Sequence, residues 1–231
     1  MYRNTFLSVM FLACCFNGSL CAQGDAQIYE RTCDAKTYPF SDPSPVATPN
    51  NSYYPYFRFD GFSMQAQEKQ WKMVVLENDY VKLTVTPEIG GKIWGAIDKV
   101  NNKEFVYTNG VVKFRDVAMR GPWTSGGIEF NFGIIGHAPT CSTPIDYLTK
   151  KNVDGSVSCH IFSYEWITRT VWNVEINLPK DKAYFTTHTT WFNQSSIDQP
   201  YYQWMNAGYA TKTGTRFYYP GTYSIGHSGD L

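Results

Sequence analysis

A strict alternation of apolar and polar side chains between residues 81 and 86 constrains the fold more than any other feature of the chain. In "YVKLTVTP" every second residue is apolar and every residue between is polar, the apolar ones being Val81, Leu83 and Val85. A period of two places all three on one face of an extended chain and is typical of a half-buried strand. Apolar residues at helical spacing never extend beyond two turns in this sequence. We therefore expect an all-β protein.

Strand-like segments follow one another along the rest of the chain, separated by turn residues. The "PEIGG" turn at 87–91 ends the first segment, and Asn101 with Asn102 predicts a tight turn because asparagine tolerates left-handed backbone geometry. Further strands are predicted at 92–99, 127–133, 156–166, 167–179, 183–193 and 200–210. Long strands in succession favour an antiparallel sandwich of two sheets over a small barrel.

The N-terminal residues 1–22 predict a secretory signal peptide. Arg3 precedes an apolar stretch that is too short to span a membrane, and "NGS" and the small residue Ala22 follow it. Cleavage after Ala22 would deliver the protein to the periplasm or the cell surface. Lipid attachment at Cys14 or Cys15 is the alternative.

The remaining chain divides into two parts by composition. Residues 23–52 contain "YPFSDPSPVATPNN", which is rich in proline, serine and asparagine and predicts an extended lead-in segment. Residues 53–231 carry most of the strand-like segments and predict the β domain.

Charge and cysteine usage exclude several kinds of partner. The 20 basic and 20 acidic residues balance and form no basic run, which argues against nucleic acid and anionic membrane surfaces. The four histidines show no metal-ligand spacing, and we predict neither a metal nor a cofactor. Outside the predicted signal peptide only Cys33, Cys141 and Cys159 remain, so at most one disulfide can join them.

The glycine-framed acid Glu129, in "RGPWTSGGIEFNFGIIGHAPT", is the first candidate functional residue. On a strand its side chain shares a face with Asn131, while the opposite face carries only Ile128, Phe130 and Phe132. The surrounding glycines leave room for a ligand to approach the strand. Glu129 is either a solvated strand residue paired with a basic side chain or an acid in a cleft. In the second case we expect Arg120, Trp123 and His137 on the rim.

A second polar strand face is predicted in "PYYQWMNAGY". Tyr202, Trp204 and Asn206 alternate onto one face, so that an indole ring lies beside an amide. A sugar could be held by ring stacking on Trp204 together with hydrogen bonds to Asn206. Plain core packing of Trp204 is the alternative.

Four stretches in order resemble one known group of proteins. "VVLENDYVKLTVTPEIGGKIWGAIDKVNNKEFVY" is similar to the opening of the galactose-mutarotase-like superfamily. "GGIEFNFG", "PYYQWMNAG" and "TRFYYPG" narrow the resemblance to an uncharacterised secreted domain that is often followed by tetratricopeptide repeats. The resemblance covers residues 53–229 and implies a β-supersandwich, two large twisted antiparallel sheets with a sugar-binding concave face.

The resemblance also marks two departures. The strand that carries a histidine in true mutarotases reads "QWMNAGY" here, which argues against mutarotation. Folds of this group continue with further strands beyond "TRFYYPG", so we expect an incomplete sandwich at the C-terminus. Tetratricopeptide repeats are expected only in longer relatives.

An exported carbohydrate-active domain is the function that these residues and the resemblance predict together. It would bind an oligosaccharide or polysaccharide and cleave it as a glycoside hydrolase does, with Glu129 as general acid or base. Arg120, Trp123, Asn131, Trp204 and Asn206 would hold the sugar. Hydrolysis requires a second carboxylate, for which Asp146, Glu165 and Glu175 are candidates.

Three alternatives remain open from sequence. A lyase or an epimerase would pair Glu129 with His137 as the base. A non-catalytic carbohydrate-binding module would need the aromatic and amide groups but no working acid. A fragment without activity of its own is the third.

Overall fold

A computed structural model describes residues 24–39, 63–116, 122–132, 139–165, 168–201 and 203–223. Strands dominate these residues, and the only helical elements among them are short 3₁₀ turns at Pro87–Ile89 and Pro139–Ser142. The strands are β1 (Gln27–Tyr38), β2 (Gln67–Glu77), β3 (Val81–Thr86), β4 (Lys92–Asp98), β5 (Lys103–Val106), β6 (Val112–Lys113), β7 (Arg115–Asp116), β8 (Pro122–Trp123), β9 (Ile128–Phe132), β10 (Asp146–Lys151), β11 (Val157–Glu165), β12 (Thr170–Leu178), β13 (Thr186–Asn193) and β14 (Gln203–Ala207). The prediction of an all-β sandwich is confirmed.

Two sheets form the sandwich. The larger has eight strands in the order β14-β9-β4-β3-β2-β1-β6, with β5 paired to β4, and the smaller has four in the order β10-β11-β12-β13. A short ribbon of β7 and β8 lies apart from both sheets. Pairing in the described residues is antiparallel except between β1 and β6, which run parallel.

The apolar faces of the two sheets meet in one core. Val81, Leu83 and Val85 of β3 are fully buried there, as the alternation predicts. Across the core, the ring of Phe132 in β9 stacks on Trp172 in β12, with centroids 4.5 Å apart. The smaller sheet contributes a row of buried side chains, Val157, Cys159, Ile161, Trp172, Val174, Ile176 and Leu178. A second, smaller cluster of buried apolar side chains lies on the other face of the larger sheet and consists of Trp71, Met73, Ile89, Trp94, Val112 and Phe114.

Two predicted turns are confirmed by their backbone angles. Gly90 ends the first 3₁₀ turn at a φ of 66°, in the left-handed region that glycine adopts without strain. Asn102, between β4 and β5, has a φ of 51°. Both turns reverse the chain so that consecutive strands pair.

The segment 23–52 contains a strand that the sequence prediction missed. β1 pairs with β2 along its length, from Gln27 opposite Glu77 to Thr37 opposite Gln67, so this part of the segment belongs to the larger sheet. Most side chains of β1 are exposed, and its sequence therefore lacks the apolar alternation that identifies a strand. Residues 40–52, with the proline-rich part, lie outside the described residues.

No disulfide joins any two of the three cysteines that the structure describes. Cys159 lies in the core, and burial, with a smaller contribution from the charge of Glu30, raises the pKa of its thiol to about 12. This thiol is therefore unreactive at neutral pH. Within the described ranges, no helix is both long enough and apolar enough to cross a membrane.

Candidate functional site

Gly127 positions the strand that carries Glu129. Its φ is 66°, and a Cβ at this position would lie 2.2 Å from the carbonyl oxygen of Ile93. Only glycine allows the chain to pass so close to β4 before β9 begins, and Ile128 then pairs with Ile93. β9 is thereby fixed with Ile128, Phe130 and Phe132 toward the core and Glu129 on the outer face of the larger sheet.

A cluster of one carboxylate and two amides lies on that outer face. The Nδ2 of Asn131 and the Nδ2 of Asn206 each donate a hydrogen bond to Oε1 of Glu129, both at 3.0 Å. Asn206 reaches it from β14, where it stands directly opposite Glu129 in the register. Glu129 is 2% exposed and Asn131 is fully buried, so these charge-assisted bonds offset the cost of removing the carboxylate from water.

A buried lysine from β4 completes the polar cluster. The Nζ of Lys92 donates to the carbonyl oxygen of Thr124 at 2.8 Å and to its hydroxyl at 3.0 Å. Burial lowers the pKa of Lys92 to about 8, while the charge of Glu129 and a smaller contribution from Cys141 act in the opposite direction. The outer face thus holds a buried cation close enough to a buried carboxylate for each to stabilise the charge of the other.

The pKa of Lys92 predicts a pH dependence of stability. An unfolded lysine titrates near 10.5 and the folded one at about 8, so between these values the unfolded chain binds more protons and stability increases with pH. Between about pH 7 and about pH 9.5, the free energy of unfolding of the wild type should increase by about 2 kcal/mol more than that of Lys92→Met. Urea denaturation of both proteins at each pH measures this difference. The raised pKa of Cys159 acts in both proteins and cancels. Equal pH dependence of the two proteins would contradict the burial of a titrating Lys92.

The other predicted site residues are brought together only in part. Trp204, half-buried, stands opposite Asn131 and shares the outer face with the cluster. Trp123 is half-buried in β8 and directly precedes Thr124, which binds Lys92. Arg120 and His137 lie outside the described residues.

None of the candidate second carboxylates lies beside Glu129. Asp146 and Glu175 point outward from the smaller sheet, on the far side of the core, because their strand neighbours on the alternate face are core residues. Glu165 is buried at the end of β11, where it accepts hydrogen bonds from the backbone and hydroxyl of Thr168. Sequence proximity did not predict their placement, because neighbouring strands in the chain belong to different sheets.

A cavity of about 340 Å³ opens on the same outer face next to Trp94, and none of Glu129, Asn131 and Asn206 lines it. Its floor is formed by Trp94, Thr84 and Ile97, and charged side chains stand at its rim. The charged residues that line it are Arg31, Asp34, Lys36, Lys82 and Glu104, and the polar Thr108 and Asn109 lie beside them.

A bulge in β4 shapes the cavity floor. Thr84 pairs with Gly95 and Val85 pairs with Ile93, so Trp94 is the extra residue between two ladder positions. The bulge turns both Trp94 and Gly95 toward the outer face, where strict alternation would turn only one of them. A Cβ on Gly95 would meet the hydroxyl of Thr108, so a larger residue here would displace the Thr108 side chain.

Lys92 and Trp94 connect the cavity to the carboxylate cluster. The Nζ of Lys92 lies 5.7 Å from the centre of the Trp94 ring, which borders the cavity, and its charge interacts with Glu129 on the other side. Lys92 was not among the site residues predicted from sequence. The one indication was a lysine between glycine and isoleucine in a strand whose other residues are almost all apolar.

Comparison with known proteins identifies the family. A model described as "Domain of unknown function (DUF5107)" matches residues 48–231. The chain belongs to the DUF5107 family. The DUF5107 chain is also similar, at 26% identity and a TM-score of 0.73, to the crystal structure of a TPR-domain containing protein from Parabacteroides distasonis. The similarity covers 80% of this chain and 32% of the other, so the chain corresponds to about a third of that protein's length.

Proposed function

We propose that this domain binds carbohydrate on the outer face of its larger sheet. The observation that carries the proposal is the cavity of about 340 Å³ beside Trp94, with arginine, lysine, glutamate, asparagine and threonine side chains around it. A volume of this size is within the range that holds a small ligand.

The lining combines apolar side chains, among them Ala35, Met73 and Ile97, with charged and polar ones, which suits the two kinds of surface of a sugar. A sugar ring has one face of C–H groups that packs on an aromatic ring, and hydroxyls around its edge that donate and accept hydrogen bonds. Trp94, which is 7% exposed, borders the cavity with only part of its ring, while Glu104 accepts and Arg31 and Asn109 donate. An apolar ligand would instead leave these charged groups desolvated without partners.

Cleavage of the bound glycan is the second candidate function. The observation in its favour is the carboxylate of Glu129, held in one orientation by Asn131 and Asn206 and placed near a buried lysine. A general acid must contact the glycosidic oxygen, and Glu129 is 2% exposed. Binding is therefore the better supported of the two functions.

Three further properties belong to this proposal. We assign the sandwich to the galactose-mutarotase-like superfamily, on the order of the motifs in the chain. We expect export to the periplasm or cell surface, on the layout of residues 1–22. Tetratricopeptide repeats are expected to accompany the domain in longer relatives, since the similar protein from Parabacteroides distasonis is described as containing a TPR domain.

Loss of binding in a rim variant tests the proposal. Glycan array screening of the purified protein should identify an oligosaccharide ligand, and Glu104→Gln should weaken its binding about tenfold. The physical reason is that hydrogen bonds from sugar hydroxyls to a charged carboxylate are stronger than those to a neutral amide in the same place. Isothermal titration calorimetry with the identified glycan measures the change.

Asp181→Asn is the matched control, because Asp181 is an exposed carboxylate between β12 and β13 of the smaller sheet and does not line the cavity. It should bind like the wild type. An array without any glycan ligand, or equal binding by Glu104→Gln and wild type, would contradict carbohydrate binding at this cavity.

A further inference from the structure

Two histidines flank a glutamate in a single row across the smaller sheet. His160 of β11 stands directly opposite Glu175 of β12, and Glu175 stands directly opposite His188 of β13. All three point outward, because Val174 and Ile176 on either side of Glu175 are buried in the core. Side chains directly opposite each other on neighbouring strands have Cβ atoms about 5 Å apart. Both imidazoles are therefore within reach of a point above the carboxylate.

A partly buried hydrogen-bond network holds the carboxylate of Glu175. The fully buried hydroxyl of Ser158 donates to Oε1 of Glu175 at 2.7 Å. The same hydroxyl accepts hydrogen bonds from the side-chain amides of Asn152 and Asn177. Since both amides are donors, the proton of Ser158 is directed toward Glu175. The carboxylate is thereby oriented from below, as metal ligands are by their hydrogen-bond partners.

The chemistry of the row is that of a transition-metal site. Two neutral imidazoles and one carboxylate suit zinc and neighbouring divalent metals better than calcium or magnesium, which prefer oxygen ligands. We propose that His160, Glu175 and His188 bind a divalent transition metal ion, with zinc the expected occupant. The site lies on the opposite side of the core from the Trp94 cavity, so it is independent of carbohydrate binding.

Metal binding requires a small movement of the side chains. The Nε2 of His160 lies 3.7 Å from Oε1 of Glu175, and in the described residues no three potential ligands are already drawn together around one point. His188 is exposed on β13, the edge strand, so its side chain can rotate toward Glu175 without displacing core atoms. The strands themselves need not move.

This site was not predictable from sequence, because its ligands come from three strands. Short ligand spacings arise when two ligands share one helix, turn or strand. Here each ligand is alone on its strand, and only the register of β11, β12 and β13 brings the three into one row.

Titration with zinc chloride tests the proposal. Calorimetry of the full chain should show saturable binding of one zinc ion, and cobalt(II) should give the visible absorption of a site with nitrogen ligands. His160→Gln and His188→Gln should each weaken zinc binding at least tenfold. Ser158→Ala should weaken it by roughly tenfold to a hundredfold, because the carboxylate then loses the donor that orients it.

Two controls separate this site from other zinc ligands. His227→Gln removes a histidine elsewhere in the chain, and Cys33→Ser removes the half-exposed thiol of β1. Both should bind zinc like the wild type. The proposal is overturned by non-saturable binding, by unchanged affinity in His188→Gln, or by loss of binding in Cys33→Ser. His188 is exposed, so its variant is expected to fold normally, which circular dichroism verifies.

Discussion

Trp172→Ala should lower the free energy of unfolding by about 3–5 kcal/mol. Trp172 is 1% exposed and stacks on Phe132 with an angle of 11° between the rings, so it joins the two sheets at the centre of the core. Truncation removes the buried aromatic surface and leaves a cavity that neighbouring β-strands cannot close, because their positions are fixed by ladder hydrogen bonds. This cost is a large fraction of the total stability of an ordinary domain.

Urea denaturation followed by tryptophan fluorescence and circular dichroism measures the change. Phe192→Ala is the matched control, since Phe192 is an aromatic residue on neighbouring β13 that is 59% exposed. It should change stability by less than about 1 kcal/mol. A loss of stability as small in Trp172→Ala as in Phe192→Ala would show that the two sheets do not depend on this contact.

The fold was predictable wherever apolar and polar side chains alternate along a strand. β3 and β9 have that pattern, and the apolar residues of both lie in the core. β1 was not predictable, because a strand near the edge of a sheet whose residues are mostly exposed carries no apolar alternation. Its place in the sheet follows from backbone pairing with β2, which depends on hydrogen bonds that every sequence can make.

Neighbouring site residues on the same strand were predictable from sequence, whereas contacts between residues on different strands were not. Alternation alone places Glu129 beside Asn131, and the structure joins them by a hydrogen bond. The contribution of Asn206 depends on which strand pairs with β9, and the position of Lys92 depends on the pairing of β4 with both β3 and β9. Such pairings are set by the packing of the whole sheet. Local sequence cannot specify them.

The residues that line the cavity were also not predictable from local sequence. Its lining comes from β1, β2, β3, β4, β5 and the residues after β5. The bulge at Trp94 also breaks the alternation from which faces are assigned, so that Trp94 and Gly95 point to the same side. A single extra residue in one strand therefore decides which aromatic ring borders the proposed sugar site.

Glu129→Gln should reduce glycan cleavage by about a hundredfold or more if Glu129 is the general acid or base. The substitution is nearly isosteric, and the side-chain oxygen of glutamine can still accept the hydrogen bonds from Asn131 and Asn206. It removes the titrating proton and the negative charge that raises the pKa of Lys92. Folding should therefore be retained, while the pKa of Lys92 should fall further.

Turnover of the glycan identified on the array, measured by release of reducing ends, distinguishes the two proposed functions. A hydrolase shows turnover in wild type and the stated loss in Glu129→Gln, with unchanged glycan affinity. Asn206→Asp provides the comparison, since it removes one donor to Glu129 and places a like charge beside it while leaving the acid itself in place. Turnover that survives in Glu129→Gln, together with a lower melting temperature, would make Glu129 a structural residue. Equal binding without turnover in either protein would establish a binding module, because the carboxylate would then serve only to hold the strands β9 and β14 together.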